Sequence, residues 1–194
     1  MRLVIMGPPG AGKGTQAQVV AARLSIPAIS TGDIFRRNVT EQTEVGLEAK
    51  RYMDAGDYVP DSVTNQMVRL RLAEPDAHDG FLLDGYPRTV AQVEELEAML
   101  AEADSQLDAV VLLTVDKEEV VARLAKRAVG EGRSDDTVEV IRHRQDVYEE
   151  QTAPLIETYD ERGLLVRVDG LGPVDEVTAR IFGALDQSSP TTTS

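Results

Sequence analysis

Residues 2–6, RLVIM, run straight into GPPGAGKGT (7–15), where four glycines and two prolines crowd around a single lysine. An apolar run this short reads as a buried strand. The stretch from Lys13 to Leu24 places Ala, Val and Leu on one face, as a helix would. Joining the two so abruptly needs glycine, because successive backbone N–H groups must point inward as a nest for an anion. A lysine at the start of a helix opposes the helix dipole unless an anion lies between them. Gly7-x-x-x-x-Gly12-Lys13 therefore predicts a phosphate-binding loop, with Lys13 supplying a mobile point charge. One position departs from the common pattern: Gly14 stands where a Ser or Thr usually follows the lysine, and Thr15 comes one later.

Beyond the loop, continuous apolar runs alternate with amphipathic stretches, which predicts an α/β domain around a parallel sheet. Five strands are expected: LVIM (3–6), IPAI (26–29), FLLD (81–84), AVVLLTV (109–115) and LLVRVD (164–169). Thr89 is placed to cap a helix through Ala103, and Asp116 another through Lys126. A long helix is expected from Thr137 to Arg162, bent near Pro154, and a last one from Val174 to Leu185. Residues 30–59 and the polar, glycine-containing AVGEGRSDD (128–136) break this rhythm. Such excursions at strand ends are where α/β proteins bind ligands and move.

Composition narrows the partners. At 194 residues and 42% apolar, the chain can bury a full core. It has no cysteine, which excludes disulfides and thiolate zinc sites. Twenty basic against 34 acidic side chains give a net charge of −14, which repels nucleic acid and anionic membranes. Small phosphorylated ligands remain if the basic groups gather in one cleft. With no leader-like segment and no bilayer-length apolar run, the expectation is a cytoplasmic protein, and so much like charge predicts a monomer. Candidate cations exist beyond Lys13. Arg36 follows Thr31, at the helix start with Ser30, by five positions and can grip a phosphate bidentately. Arg123 and Arg127, four apart, share a helix face. Asp84 ends an apolar strand, where a carboxylate needs donors or a cation, and fits a magnesium-associated role. His78 and His143 have no metal-like spacing and read as incidental.

GPPGAGKGT resembles the loop of adenylate kinases and their nucleoside monophosphate kinase relatives, which have GKGT where other loops have GK[ST]. STGDIFR (30–36), FLLDGYPRT (81–89) and RSDD (133–136) resemble three further blocks, in family order. The resemblance implies a P-loop three-layer α/β fold with a central five-stranded parallel sheet. It implies one domain over 1–187, with a core of 1–29, 60–125 and 137–187. A small helical NMP-binding excursion at 30–59, a short zinc-free lid at 126–136 and a flexible tail at 188–194 complete it.

For the site, the resemblance implies ATP on Gly10, Ala11, Gly12, Lys13, Gly14 and Thr15, faced by Arg123 and Arg127, with Gly172 as a backbone contact. It implies AMP held by Thr31, Arg36, the backbone of Asp57, Tyr58 and Val59, then Gly85, Tyr86, Pro87 and Arg88, with Gln92 reading adenine. Arg133 and Arg144 would close on the transferred phosphoryl group and AMP. The implied catalytic set is Lys13, Asp84, Arg88, Arg127, Arg133 and Arg144, moving a phosphoryl group reversibly from Mg-ATP to AMP to give two ADP. No metal-ligating residues are expected, since Mg²⁺ would be held largely by nucleotide oxygens and water. A UMP/CMP-type kinase is the nearest alternative on the same fold. A P-loop GTPase would want the missing Ser/Thr and an NKxD segment, and a non-catalytic nucleotide-binding module would not need Asp84 or Arg88.

Overall fold

A strand with no polar side must be covered on both faces, and residues 3–6 are such a strand. In the computed structural model, which describes residues 1–116, 119–120, 123–124 and 137–188, Leu3, Val4, Ile5 and Met6 are all buried. They form β1 (Arg2–Met6), the centre of a parallel sheet with β2 (Ala28–Ser30), β3 (Phe81–Asp84), β4 (Ala109–Thr114) and β5 (Leu165–Asp169). The order is β2-β3-β1-β4-β5. Register sets Val4 beside Leu83 and Val110, and Ile5 beside Asp84 and Val111.

Alternation along the strands feeds two cores. Val4, Met6, Leu83, Val110 and Leu112 point to one side, under α4 (Asp61–Leu72), α5 (Val90–Glu102) and α7 (Leu155–Glu161). Leu3, Ile5, Leu82, Val111 and Leu113 point to the other, under α1 (Lys13–Leu24) and α8 (Val174–Ser188). Each fully buried Leu, Ile or Val stabilises by roughly 1.5–3 kcal/mol, so three layers follow from these runs. At the sheet edge, β5 buries only Val166 and Val168 well, while exposed Arg167 pairs with Asp160 at 2.8 Å.

Segment 30–59 folds as α2 (Thr31–Thr40) and α3 (Glu44–Ala55), with Phe35, Ala49 and Val59 as a small core of their own. The two helices meet at Gly46, where a Cβ would lie 2.1 Å from the Asn38 carbonyl oxygen.

Three details differ from the sequence reading. β2 starts at Ala28 and not Ile26, because α1 ends with Ser25 in the left-handed region and Ile26 N still donates to Ala21 O. α4 was not anticipated: its mixed sequence DSVTNQMVRLRL buries only Thr64 and Val68. The long helix divides earlier than Pro154. α6 (Val138–Val147), capped by Thr137, passes into a π turn (Tyr148–Thr152) before α7. Pro154 has no N–H to give, and the wider turn, with Ala153 N on Tyr148 O at 2.8 Å, accommodates that loss. Glu119, Val120, Arg123 and Leu124 are helical. The expected lid, 126–136, with Arg127 and Arg133, lies outside the described residues, as do residues 189–194 of the expected tail.

Two glycines test this packing in opposite directions. Gly46→Ala is expected to destabilise by about 2 kcal/mol or more through overpacking. Gly183→Ala, inside α8 with nothing within 4 Å of the new methyl, is expected to stabilise by about 0.5–1 kcal/mol. Urea denaturation of each variant measures both.

Candidate active site

The carboxyl ends of β2, β3, β1 and β4 come together at one sheet edge, where the strand order changes direction. There a cleft of about 890 Å³ opens between the phosphate loop, segment 30–59 and the connection after β3.

The loop itself requires close approach. A Cβ on Gly7 would sit 2.7 Å from Leu113 O, and one on Gly10, at φ +89°, 2.9 Å from Leu124 Cγ. Gly12, also at φ +89°, is the N-cap of α1 and offers no side-chain oxygen to the first-turn N–H groups. Those groups, with the positive end of the helix, are available to an anion. Lys13 Nζ donates to Gly7 O at 2.7 Å and Pro8 O at 3.0 Å, so the ammonium lies across the loop. Ala11 is buried beneath the loop. A Cβ on Gly14 would lie 3.6 Å from Asp84 Oδ2, an ordinary contact distance, so the first turn of α1 faces the end of β3.

Asp84 stands level with Ile5 of β1 and Ser30 of β2, between two strand ends. Gly85 follows at φ +80°, and a Cβ on it would be 2.7 Å from Thr31 Oγ1 and 2.8 Å from Arg88 Nη2. Its bare carbonyl accepts from Thr31 Oγ1 at 2.9 Å and from Arg88 Nε at 2.8 Å. Tyr86 is buried and donates to Asn65 Oδ1 at 2.9 Å. Burial, with Glu95 and Asp61 nearby, raises its phenol pKa well above the ordinary value. Tyr148, on the cleft wall, is pushed up to about 12 by burial first and the neighbouring Tyr58 second. Neither phenol ionises near neutrality.

Gln92 is only 2% exposed yet reaches the cleft. Its Oε1 accepts from Arg88 N at 2.8 Å and its Nε2 donates to Asp61 Oδ1 at 2.6 Å. One N–H and one lone pair of the amide remain for a ligand. Arg36 holds Asp33 at 2.5 Å, and Arg123 spans Glu119 at 2.8 Å and Gly170 O at 3.2 Å. Arg144, from α6, lines the same wall.

Thus Gly10, Gly12, Lys13, Gly14, Thr15, Arg123, Thr31, Arg36, Asp57, Tyr58, Val59, Asp84, Gly85, Tyr86, Pro87, Arg88, Gln92 and Arg144 share one cleft. Gly172 is not on its wall, and its nearest neighbours are Arg180 and Glu176. Gly170 is the residue that touches Arg123. Sequence reasoning missed Asp61 and Thr152. The first follows Pro60 at a helix start, a capping signal; the second has no local signal. His143, read as incidental, lies 2.6 Å from Asp57. Among the described residues no group of three or more His, Asp or Glu could hold a metal.

A family model described as "Adenylate kinase" matches residues 5–164. The "Adenylate kinase" of a Nocardioides species is 70% identical over 186 residues, covering 96% of this chain and 97% of the relative. That of Kocuria rhizophila is 62% identical, covering 96% and 99%. That of Thermobifida fusca is 60% identical over 185 residues, covering 95% and 98%.

Gly85→Ala tests the convergence on the Gly85 carbonyl. Displacing Thr31 and Arg88 by a fraction of an ångström is expected to weaken nucleoside monophosphate binding by about tenfold or more, the scale of a small misplacement in a positioned site. Calorimetric titration of the variant measures it, with thermal melting as the control for folding.

Proposed function

The chain belongs to the adenylate kinase family, and from that premise we propose that its cleft transfers the terminal phosphoryl group of Mg-ATP reversibly to AMP, giving two ADP. The observation that carries this reading is the meeting of Lys13 and Arg123 with Arg36, Arg88 and Arg144 in one cleft of an otherwise acidic molecule.

ATP lies on the loop side, its phosphates on the N–H groups of residues 10–15 and on Lys13, with Arg123 and Arg127 nearby. AMP lies on the other side, its phosphate between Arg36 and Arg88, its base toward Thr31, residues 57–59 and Gln92. Lys13 swings from Gly7 O and Pro8 O to the phosphates it neutralises. The AMP phosphate is ionised at neutral pH, so it attacks in line without a general base. The protein aligns the two phosphates and offsets the charge that spreads over the transferred group. Magnesium carried in by ATP would neutralise part of that charge. Asp84, at the end of β3 beside the phosphate loop, would hold it through water.

Segment 30–59 and the lid, 126–136, are the parts that close, excluding water only when both nucleotides are present. Arg133 would arrive with that closure and join Arg144, which already lines the cleft. No described helix is long and apolar enough to cross a membrane, and a soluble cytoplasmic monomer with no nucleic-acid partner suits the acidic surface.

A coupled ADP assay with AMP, UMP, CMP and GMP is expected to give AMP the highest kcat/KM; equal turnover of UMP or CMP overturns the choice of acceptor. Arg88→Ala is expected to lower turnover by at least about a hundredfold, the scale of losing one preorganised donor; steady-state kinetics that stay near wild type remove Arg88 from the catalytic set. Phosphate release from ATP without AMP is expected to run far below the transfer rate, and equal rates refute closure as the guard against hydrolysis.

A further inference from the structure

Arg88 is held at more points than a phosphate-binding arginine needs. Its backbone N donates to Gln92 Oε1 at 2.8 Å and its Nε to Gly85 O at 2.8 Å. Its guanidinium carbon lies 4.9 Å from the centre of the Tyr58 ring. Its carbonyl accepts from Thr152 Oγ1 at 2.9 Å, and Thr152 Oγ1 lies 2.7 Å from Tyr58 Oη. A hydroxyl has one proton. Since Thr152 gives its proton to Arg88 O, Tyr58 must give its own to Thr152. Tyr58 therefore touches Arg88 twice, through its ring at the guanidinium and through a relay of hydroxyls at the carbonyl.

The three residues come from separate parts of the fold: Tyr58 from the end of segment 30–59, Arg88 from the connection after β3, and Thr152 from the π turn. We propose that the Tyr58 side chain is a positioning residue for Arg88, aiming its guanidinium along the cleft only when segment 30–59 rests on the core. The neighbouring contacts define that resting position. A Cβ on Gly56 would come within 3.1 Å of Val140 Cγ1 and Arg144 Cγ, and Asp57 meets His143. With Nε fixed on Gly85 O and the plane of the guanidinium over a ring, the remaining N–H groups keep one orientation. The phosphate then meets an arginine whose rotamer freedom is already spent. When the segment lifts, ring and relay leave together and the aim is lost. A phosphate acceptor is thus met by an aligned arginine only where segment 30–59 also covers it. The inference rests on the reading of Arg88 as a ligand of the acceptor phosphate.

The test is steady-state kinetics with AMP varied at saturating ATP, and the reverse, on Y58F, Y58L and T152V, with melting curves as controls. Y58F removes the first hydroxyl of the relay and T152V the second, through which both bonds run, without changing side-chain shape. Each is expected to lower kcat/KM for AMP by about three- to tenfold, the scale of one net hydrogen bond. The double variant is expected to lose no more than T152V alone, because removing the Thr152 hydroxyl already breaks the whole relay. Y58L also removes the ring, and is expected to lose about tenfold or more in kcat/KM for AMP. KM for ATP is expected to stay unchanged, which damage to the whole domain would not allow. In an R88K background the Y58L effect should shrink, since the planar group the ring positions is gone while the relay to the residue-88 carbonyl remains. Wild-type kcat/KM for AMP in Y58L, or an undiminished Y58L effect in R88K, overturns the inference while Arg88 keeps its role. Full activity of Arg88→Ala overturns the wider reading of Arg88, and the positioning role with it.

Discussion

Cations brought to one sheet edge repel one another, and the site depends on how that repulsion is offset by neighbouring groups. Lys13 rests on two loop carbonyls, Arg88 on Gly85 O, and Arg123 on Gly170 O and Glu119. Arg36 leans on Asp33. Most of these partners are backbone carbonyls, dipoles that hold a cation in place without cancelling its charge. A phosphate oxygen, which carries charge, outcompetes a carbonyl for an ammonium or guanidinium. The arrangement keeps each cation near its working position and yet available.

Glycine makes that arrangement possible where backbone and side chain must crowd. Gly85 admits Thr31 and Arg88 to the same carbonyl, and Gly7 lets the loop approach Leu113 O. These are constraints of contact, and they explain why the loop after β1 and the turn after β3 face each other across a narrow gap. The parallel sheet supplies the larger frame, because it delivers every strand's carboxyl end to one edge.

Much of this was legible in the chain itself. The strands read at 3–6, 81–84 and 109–115 announced themselves as continuous apolar runs, and 164–169 stood as a fifth candidate. The loop was readable because a lysine at a helix start makes sense only with an anion. α4 escaped notice because its burial rests on Thr64 and Val68 alone, too little to impose a period. β2 was misplaced by two residues because a left-handed Ser25 extends the exit from α1, a conformation no pattern of hydrophobicity encodes. Gln92 and Tyr58 were named for their places beside motifs. The ties of Gln92 to Asp61 and of Tyr58 to Thr152 span 31 and 94 residues, and only folding brings such partners together.

The π turn at Tyr148–Thr152 bears on how the second half of the chain tolerates change. An α-helix advances about 100° per residue, so Arg144, Tyr148 and Leu155, spaced by four and then seven, would share a single stripe on an unbroken rod. Instead Arg144 and Tyr148 face the cleft while Leu155 and Tyr159 enter the core. A π turn takes more residues per turn than an α-helix, so it sets the angle at which the residues after it follow those before. A deletion of one residue there would act as a rotation of everything downstream rather than a shortening, so this stretch is far less forgiving of length change than its helical appearance suggests.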